Sequence, residues 1–324
     1  MRALAIMLVV FAHSVIIYTS WDLLTTDVEA PVLAEIKAAV ALCHMPIFCF
    51  ISGYLFVSKL GSGNFSKLFI DKFKRVMVPY YAVALLWMIP IRLLIHLPQY
   101  DGQGFSDIVV KGILLGQNNG HLWYLIFIFL AYITSYVLFG LLEKLRVNDR
   151  YAVICLFILS VIFAIEKAHF RNVPVFGNVM YRYAAHYAFF CFGLIARKFG
   201  LFETRVFRWM KKYRIAVFLV LIVLLYLYRS RIYTNKLLVG FWASLTAAAV
   251  LPDRKLPVMP EISKESFGIY LFHSPLIYIT FTYLPNIHPL LMLLINFGCF
   301  GSLAFMMNRV LKKTPIRYLI GYWK

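Results

Sequence analysis

The sequence is poor in charged residues, and acidic residues are the scarcest of them. Charged residues make up 15% of the chain, with 14 acidic against 33 basic residues, while hydrophobic residues reach 62% and the mean hydropathy is +0.78. A soluble domain typically carries about 25% charged residues. The shortage of charge therefore excludes a soluble globular protein and indicates a polytopic membrane protein.

Cysteine is also sparse, and its pattern excludes two kinds of framework. The five cysteines lie in apolar runs, without a CxxC pair or a Cys and His cluster at zinc spacing. We therefore predict no disulfide framework and no metal site. The sequence also lacks a Walker A loop, a GxSxG element and a Ser-His-Asp order, so it contains no motif for those nucleotide-binding or hydrolase sites.

The basic residues concentrate on one side of the predicted membrane segments. By hydropathy, 24 of the 33 Lys and Arg residues share a side. This positive-inside pattern predicts a plasma-membrane protein with both termini in the cytoplasm. The net charge of +19 then reflects topology and contact with anionic lipid or a phosphorylated substrate, and we expect no nucleic-acid partner. The basic stretches are Arg2, 59–75, 144–150, 197–214, 254–264 and 309–324.

Ten apolar segments follow one another without an internal repeat, each close to or somewhat shorter than the ~20 residues of a membrane span. We predict an all-α bundle of about ten transmembrane helices that forms one domain over 1–324. The first segment has only Arg2 as a basic region and no small-residue cleavage site before Trp21 and Asp22, so we expect it to remain as a span. The segments are 3–20, 36–57, 76–97, 121–142, 151–166, 180–197, 214–230, 237–251, 267–284 and 290–311.

The first segment carries an ionisable residue at each end, Arg2 and His13. Eleven helical residues span about 16 Å and about three turns, so we expect both side chains to face inward about half a bilayer apart. Because an ionisable group inside hydrocarbon is costly, a functional role is the default interpretation. The alternative is that Arg2 marks the cytoplasmic end of the helix and His13 bonds a neighbouring helix.

The second segment combines a histidine with small residues. His44 lies roughly 12 Å along the helix from its outer end, near the depth of His13, although a hydrogen-bonded bundle histidine is the alternative. Pro46 should bend this helix. Ser52 and Gly53 offer a small surface that another helix or a ligand can approach closely.

The third segment has cations near both ends. Lys72 and Arg75 lie three residues apart at the inner surface, where they are candidates to bind the phosphates of a cytosolic cofactor. They are equally explained as positive-inside anchors. Near the outer end, snorkelling toward water explains Arg92 and His96.

Polar and aromatic groups recur in later segments. His121, Trp123 and Tyr124 fit either an interfacial aromatic belt or a surface that stacks on sugar rings. Arg182 and His186 lie four residues apart on one helical face near the outer side. They are candidates for an acceptor cavity.

The ninth segment carries an unusual polar stripe. Ser266, Tyr270 and His273 occupy positions i, i+4 and i+7 of one helical face, so we expect them to point into the bundle. Pro275, two residues later, predicts a local break in this helix.

Together these motifs resemble the acyltransferase family 3 of integral membrane proteins, particularly its polysaccharide O-acetyltransferase and fucose 4-O-acetylase-like members. Their order and spacing extend over nearly the whole chain. The resemblance rests on Arg2 and His13 with ten residues between them, the His-Met-Pro-Ile-Phe and Phe-Ile-Ser-Gly-Tyr sequences within 44–54, Lys72 and Arg75 before Pro79-Tyr80, His-Leu-Trp-Tyr-Leu at 121–125, and Ser266 to Pro275.

The resemblance implies a ten-helix fold in which acetyl-CoA, or another acyl-CoA, docks from the cytoplasm. The acetyl group would pass to a hydroxyl of an extracytoplasmic glycan or its lipid-linked precursor. The family motifs assign catalysis to Arg2 and His13, and co-substrate binding to Lys72 and Arg75 with Ser52, Gly53 and Tyr54. Lys72 replaces the more usual Arg and lacks its bidentate fork. The predicted acceptor-binding residues are His44, His121, Trp123, Tyr124, Arg182, His186, Ser266, Tyr270 and His273.

The chemistry of O-acetylation fits a buried imidazole. A base must take the proton of a hydroxyl as it attacks a thioester, and we predict that neutral His13 does so. No Asp or Glu lies deep in a segment, so we expect a hydroxyl or a backbone carbonyl to orient this imidazole. The alternatives are a transporter, flippase or exporter of a glycan or lipid-linked sugar, against which the missing repeat counts, and a membrane assembly partner without its own chemistry.

Overall fold

The computed structural model describes residues 1–19, 23–61, 64–228, 236–251 and 257–323. All regular secondary structure within these ranges is helical, and they contain no strand, which confirms the predicted all-α class. Several predicted features lie outside the described residues: the segment ends at 20 and 229–230, Trp21 and Asp22 of the first outer loop, and the basic residues Arg254, Lys255 and Lys324.

Ten long helices account for most of the described chain, and each predicted apolar segment overlaps one of them. Three shorter helices lie between them, at Phe105–Leu114, Lys167–Arg171 and Arg205–Lys212. The long helices are α1 Arg2–Ser14, α2 Pro31–Phe56, α3 Phe65–Leu94, α4 Gly120–Lys144, α5 Asp149–Ile165, α6 Gly177–Lys198, α7 Arg214–Tyr228, α8 Lys236–Val250, α9 Met259–Tyr283 and α10 Pro289–Leu311.

Within the described residues, four helices are long and apolar enough to cross a membrane: α2, α3, α4 and α10. Helices α1, α7 and α8 are apolar but shorter. Helix α9 has 25 residues, but Glu, Ser and His side chains lower its hydropathy, and most of its residues from Glu265 to Ile277 are buried. The polar groups of this part of α9 therefore lie inside the protein, where they avoid the free-energy cost of contact with lipid hydrocarbon.

Three segment boundaries differ from the predicted ones by six residues or more. Helix α1 ends at Ser14, whose Oγ donates to the carbonyl of Val10 at 2.7 Å, and a 3₁₀ turn follows. The basic stretch 59–75, predicted as a loop, contains the start of α3, because Asn64 Oδ1 accepts the N–H of Ser66 at 2.7 Å in an N-cap arrangement. Helix α9 begins at Met259, eight residues earlier than predicted.

Two of the prolines inside continuous helices are those for which the sequence predicts a bend or a break. Pro46 is within α2 and Pro275 is within α9. The predicted break at Pro275 is therefore wrong: the helix runs through it to Tyr283. Side chains of neighbouring helices donate hydrogen bonds to backbone carbonyls of α9 just before Pro275.

The chain divides into two compact units. The first contains Met1, 42–72 and 126–255. In it, α6 packs against α5 and α8, and α7 packs against α8. Helix α6 also meets the end of α2 backbone to backbone: a Cβ at Gly53 would lie 1.9 Å from the carbonyl oxygen of Phe190, and one at Gly193 would lie 2.1 Å from that of Phe50. Only glycine permits so close an approach.

The second unit contains 2–41, 73–125 and 256–324, and α9 is its central helix. Helices α1, α10 and the second half of α3 all pack against α9. A Cβ at Gly268 of α9 would lie 1.9 Å from Cγ of Asn308, which shows how closely α10 approaches. Asn296 Nδ2 of α10 donates to the carbonyl of Ser14 at the end of α1, 3.2 Å away.

A buried acidic residue links α9 to α10 in the second unit. Glu265 is 3% exposed and accepts hydrogen bonds from Asn308 Nδ2 and Lys312 Nζ, each at 2.5 Å. Burial lowers the pKa of Lys312, but its hydrogen bonds to Glu265 and Tyr322 outweigh this and raise the pKa above the usual 10.5. The ammonium group therefore stays charged and neutralises the carboxylate.

We expect Lys312→Met to lower the melting temperature of the purified protein by several degrees. The substitution leaves Glu265 buried without its counter-charge, which costs about 3–5 kcal/mol in comparable pairs. Thermal unfolding in detergent measures the effect. Lys313→Met is the matched control, because Lys313 is exposed. Equal melting temperatures of the two variants would show that the ion pair does not stabilise the unit.

Candidate active site

Three histidines from different parts of the sequence meet in the second unit. His13 lies in the last turn of α1, His121 in the first turn of α4 and His273 in the middle of α9. The ring centroids of His13 and His273 are 5.0 Å apart, and those of His121 and His273 are 5.5 Å apart. His273 is fully buried and His121 is 6% exposed. We call these three residues the histidine cluster.

The contact between His13 and His273 is a hydrogen bond between two imidazoles. His13 Nδ1 lies 2.7 Å from His273 Nε2, and the ring planes are inclined by only 20°. The centroid distance exceeds the N to N distance by about one ring diameter. The rings therefore lie edge to edge and nearly in one plane, as an N–H···N hydrogen bond requires.

The backbone of α9 fixes the protons of this pair. His273 Nδ1 lies 2.8 Å from the carbonyl oxygen of Ile269 and 3.0 Å from that of Tyr270. A carbonyl only accepts, so Nδ1 of His273 carries the hydrogen and its Nε2 is an acceptor in the neutral ring. Nδ1 of His13 must then donate to it. The remaining nitrogen of His13, Nε2, consequently holds the lone pair that can take a proton.

Pro275 leaves a backbone carbonyl of α9 available as the acceptor that orients the third histidine, His121. Because proline has no N–H, the carbonyl of Leu271, four residues earlier, loses its usual helical donor. His121 Nε2 takes that place and donates to the oxygen of Leu271 at 3.1 Å. Trp87 Nε1 donates to the next carbonyl, that of Phe272, at 3.2 Å. Two side chains thus hydrogen-bond where the helix is weakest, which explains why α9 continues without a break.

Aromatic side chains surround the cluster. The hydroxyl of Tyr270 donates to the backbone carbonyl of His121, and the rings of these two residues are 5.7 Å apart. Tyr124 meets the ring of Tyr270 edge to face at 5.8 Å and Trp123 at 6.2 Å. Ser266 Oγ donates to the carbonyl of Ser263. The predicted polar stripe of α9 therefore does point into the unit.

The predicted cations differ in their surroundings. Arg2 is exposed at the first turn of α1, so the expectation that it faces inward is wrong: a guanidinium at a helix end reaches water at little cost. Arg75 is also exposed. Lys72 is held in the first unit, 4.6 Å from the ring centroid of Tyr132 and 5.7 Å from that of Phe56, with Asp71 at 3.9 Å.

The other predicted residues lie in the first unit. The backbone of Phe190 occupies the small surface at Gly53, next to the half-buried Ser52, and Tyr54 accepts from Arg197 Nη1 at 3.1 Å. His186 Nδ1 lies 2.8 Å from the carbonyl of Arg182 in the preceding turn. His44 and His186 are close enough to interact electrostatically. The described residues contain no group of three or more side chains placed to bind a metal ion.

The sequence analysis did not predict two features of this unit, the role of His273 and the burial of Arg92. His273 orients His13, although the sequence suggests a hydroxyl or carbonyl for that role and places His273 with the acceptor residues. Arg92 is fully buried, so snorkelling does not explain it, and that interpretation is wrong. The signal was an arginine within an apolar run without an acidic residue nearby, for which a functional role is the default.

Comparison with known families decides the class of protein. The acyltransferase 3 family model, described as an acyltransferase domain, matches residues 1–307, nearly the whole chain. The protein belongs to the acyltransferase 3 family. This membership makes it a membrane acyltransferase and confirms the resemblance to the family, while the likeness to polysaccharide O-acetyltransferase and fucose 4-O-acetylase-like members stays a prediction. Searches of curated proteins and of solved structures gave no match.

We expect Pro275→Ala to make this acyltransferase more stable and less active. The alanine N–H can bond the carbonyl of Leu271, which restores the helical hydrogen bond and displaces His121. Thermal unfolding should show a higher melting temperature, and acyl transfer should fall about tenfold or more as His121 loses its position.

A double-mutant cycle with His121→Phe tests this explanation. If Pro275 acts through His121, then Pro275→Ala has no further effect on transfer in the His121→Phe background. Additive losses of activity would contradict it.

Proposed function

We propose that this acyltransferase moves an acetyl group from cytosolic acetyl-CoA to a hydroxyl of an extracytoplasmic glycan or its lipid-linked precursor, with His13 as the general base. One observation carries the proposal: the hydrogen bond from His13 Nδ1 to His273 Nε2. It directs the lone pair of His13 to Nε2 and holds the ring in one orientation. Family membership supports acyl transfer as the reaction.

The proposed step is attack of the acceptor hydroxyl on the thioester carbonyl. The hydroxyl oxygen bonds to the carbonyl carbon while its proton passes to His13 Nε2, and the bond from that carbon to sulfur then breaks. The proton on His13 can pass to the departing thiolate, which leaves as CoA thiol. While His13 is charged, the lone pair of His273 Nε2 accepts a stronger hydrogen bond from Nδ1, which stabilises the imidazolium.

For the donor, we propose that the guanidinium groups of Arg2 and Arg75 bind phosphates of acetyl-CoA at the cytoplasmic surface. Both are exposed, and a guanidinium pairs well with phosphate oxygens. Lys72 and the stretch Ser52 to Tyr54, which belong to the first unit, are proposed co-substrate residues of that unit. The proposal includes ten membrane-spanning helices in the plasma membrane with both termini in the cytoplasm, as the distribution of basic residues favours.

For the acceptor, we propose that aromatic and hydroxyl groups next to the histidine cluster contact the sugar. Trp123 and Tyr124 offer ring faces, and Ser266 and Tyr270 lie on the face of α9 that carries His273. His44, Arg182 and His186 are proposed acceptor residues of the first unit.

We expect His13→Ala to lower acetyl transfer by about 10²–10⁴-fold, the usual contribution of a general base. The mass of the surface glycan from cells that express each variant measures transfer. The polymer should still be exported but without acetyl groups. His169→Ala is the control, because His169 is an exposed histidine paired with Glu166. Normal acetylation in His13→Ala would reject the base, and missing polymer would favour transport.

His273 is a positioning residue, and conservative replacement separates its role from packing. The amide oxygen of His273→Gln can still accept from His13 Nδ1, whereas His273→Phe fills the space without an acceptor. We expect His273→Gln to retain much of the activity and His273→Phe to lose as much as His13→Ala. Equal activity of the two His273 variants would contradict the orienting hydrogen bond.

We expect Arg75→Gln and Arg2→Gln to weaken acetyl-CoA binding about tenfold each, because each removes a charge-assisted hydrogen bond to phosphate. Titration calorimetry of the purified protein with acetyl-CoA measures the affinity. Arg205→Gln removes an exposed arginine outside the proposed site and should bind normally. An affinity that does not change in either variant would place the CoA phosphates elsewhere.

A further inference from the structure

Arg92 is a buried cation for which none of the described residues supplies a counter-charge. The side chain, in the last turns of α3, is fully buried within the second unit. Nη1 donates to Gln99 Oε1 at 3.3 Å, and the Tyr278 hydroxyl is close enough to interact with the guanidinium. Within the described chain, Nε and Nη2 have no acceptor of normal hydrogen-bond geometry. No carboxylate among the residues that the structure describes forms an ion pair with it.

Such an arrangement is costly unless something completes it. A buried guanidinium normally pairs with an anion, and leaving its donors unbonded adds to the cost of desolvation. The ring of Tyr278, whose centroid is 4.8 Å away, offers a cation–π contact, which is weaker than an ion pair. The protein therefore keeps a charge and two hydrogen-bond donors in a place where it supplies no anion.

More unbonded polar atoms lie next to this guanidinium. Arg92 packs against Gly120: a Cβ there would lie 2.4 Å from Nη2, and the φ of +54° also favours glycine. The residues on either side of Gly120 are Asn119, which is 1% exposed, and His121. Within the described chain, neither amide atom of Asn119 nor Nδ1 of His121 makes a hydrogen bond of normal geometry, although the Asn119 amide lies near the hydroxyl of Tyr80. We call Arg92, Asn119 and His121 the Arg92 cluster.

The donors and acceptors of this cluster define a ligand. Arg92 Nε and Nη2 and Asn119 Nδ2 are donors that suit an oxyanion. Asn119 Oδ1 and His121 Nδ1 are acceptors that suit hydroxyl groups, because His121 Nε2 already donates to Leu271. One molecule that carries both an anionic group and hydroxyls would satisfy all of them.

We propose that the Arg92 cluster binds an acidic sugar of the acceptor glycan, through a carboxylate or a phosphate group. This inference rests on the proposed function, which supplies the glycan. The cluster shares His121 with the histidine cluster, and the His121 ring is 5.5 Å from that of His273. An acidic sugar held by Arg92 would thus place neighbouring hydroxyls near the proposed base.

A cavity lies near the cluster and is connected to it through the side chain of Gln99. Gln99 links Arg92 to Asn118, because its Nε2 donates to Asn118 Oδ1. Asn118 is in the wall of a cavity of about 300 Å³. The other polar lining residues are Tyr100, Gln103, Gln117 and the charged Asp107 and Lys111, which form an ion pair with each other. Amide and phenol groups of this kind suit the hydroxyls of further sugar residues, and the size is at the lower end for ligand pockets.

Thermal unfolding of the purified full-length protein tests the inference. D-glucuronate, glucose 1-phosphate and D-glucose are compared at equal concentration and ionic strength. We expect the melting temperature to rise with at least one acidic sugar and not with D-glucose. A response to glucuronate alone identifies a carboxylate, and a response to glucose 1-phosphate alone identifies a phosphate. No response to either, or an equal response to D-glucose, overturns the proposal.

Variants of Arg92 separate binding from structure. We expect Arg92→Met to melt at or above the wild-type temperature without sugar, because an unpaired buried charge is removed, and to bind the acidic sugar about 10- to 100-fold more weakly. Arg171→Met is the control, because Arg171 is exposed although it also stacks on a tyrosine ring, 4.4 Å from that of Tyr181. It should respond as the wild type does.

If Arg92→Met does not fold, Arg92→Lys tests the proposed sugar binding. Lysine keeps the charge but lacks the forked donors, so the affinity for the acidic sugar should fall. An unchanged affinity in either variant overturns the proposal. Because this test measures binding alone, a wild-type protein that transfers acetyl groups normally but binds neither acidic sugar overturns only this inference. Absent acetyl transfer with normal sugar binding overturns only the proposed function.

Discussion

The candidate site depends on one hydrogen bond between two neutral imidazoles, anchored on a helix backbone. His273 donates to carbonyls of its own helix and accepts from His13, so the proton order of the pair is set by backbone carbonyls, which cannot change protonation. A carboxylate in this position would orient His13 as well, but it would add a charge to the interior of a membrane protein. The second imidazole performs the task at a lower cost of burial.

Helix α9 supplies this order because of where its proline lies. Pro275 frees the carbonyl of Leu271, which His121 then bonds, while the carbonyls one turn before His273 receive its Nδ1 hydrogen. The packing of α1, α3 and α10 around α9 keeps the helix continuous despite the lost hydrogen bond. The backbone of α9 therefore orients His273 of the same helix and His121 of α4. His273 in turn orients His13 of α1.

Sequence patterns predicted the helices and most cluster residues, but not their partnerships. Apolar length identified the segments, and an ionisable residue in an apolar run identified His13 and His273. Hydropathy does not show which side chains from distant parts of the sequence come into contact, so it could not predict the pairing of His13 with His273, 260 residues apart. The prediction for Arg92 was wrong for the same reason. Its position near a segment end indicated exposure to water, whereas Gly120 and Tyr278 pack against the side chain and bury it.

The central claim is the proton order of the His13 and His273 pair, which nitrogen NMR of the purified protein with ¹⁵N-labelled histidine measures directly. Signals are assigned by loss in the His13 and His273 variants. The account predicts that both rings are neutral with hydrogen on Nδ1, and that a coupling across the hydrogen bond joins His13 Nδ1 to His273 Nε2. Hydrogen on Nε2 of His13, or no coupling between the two rings, would contradict it.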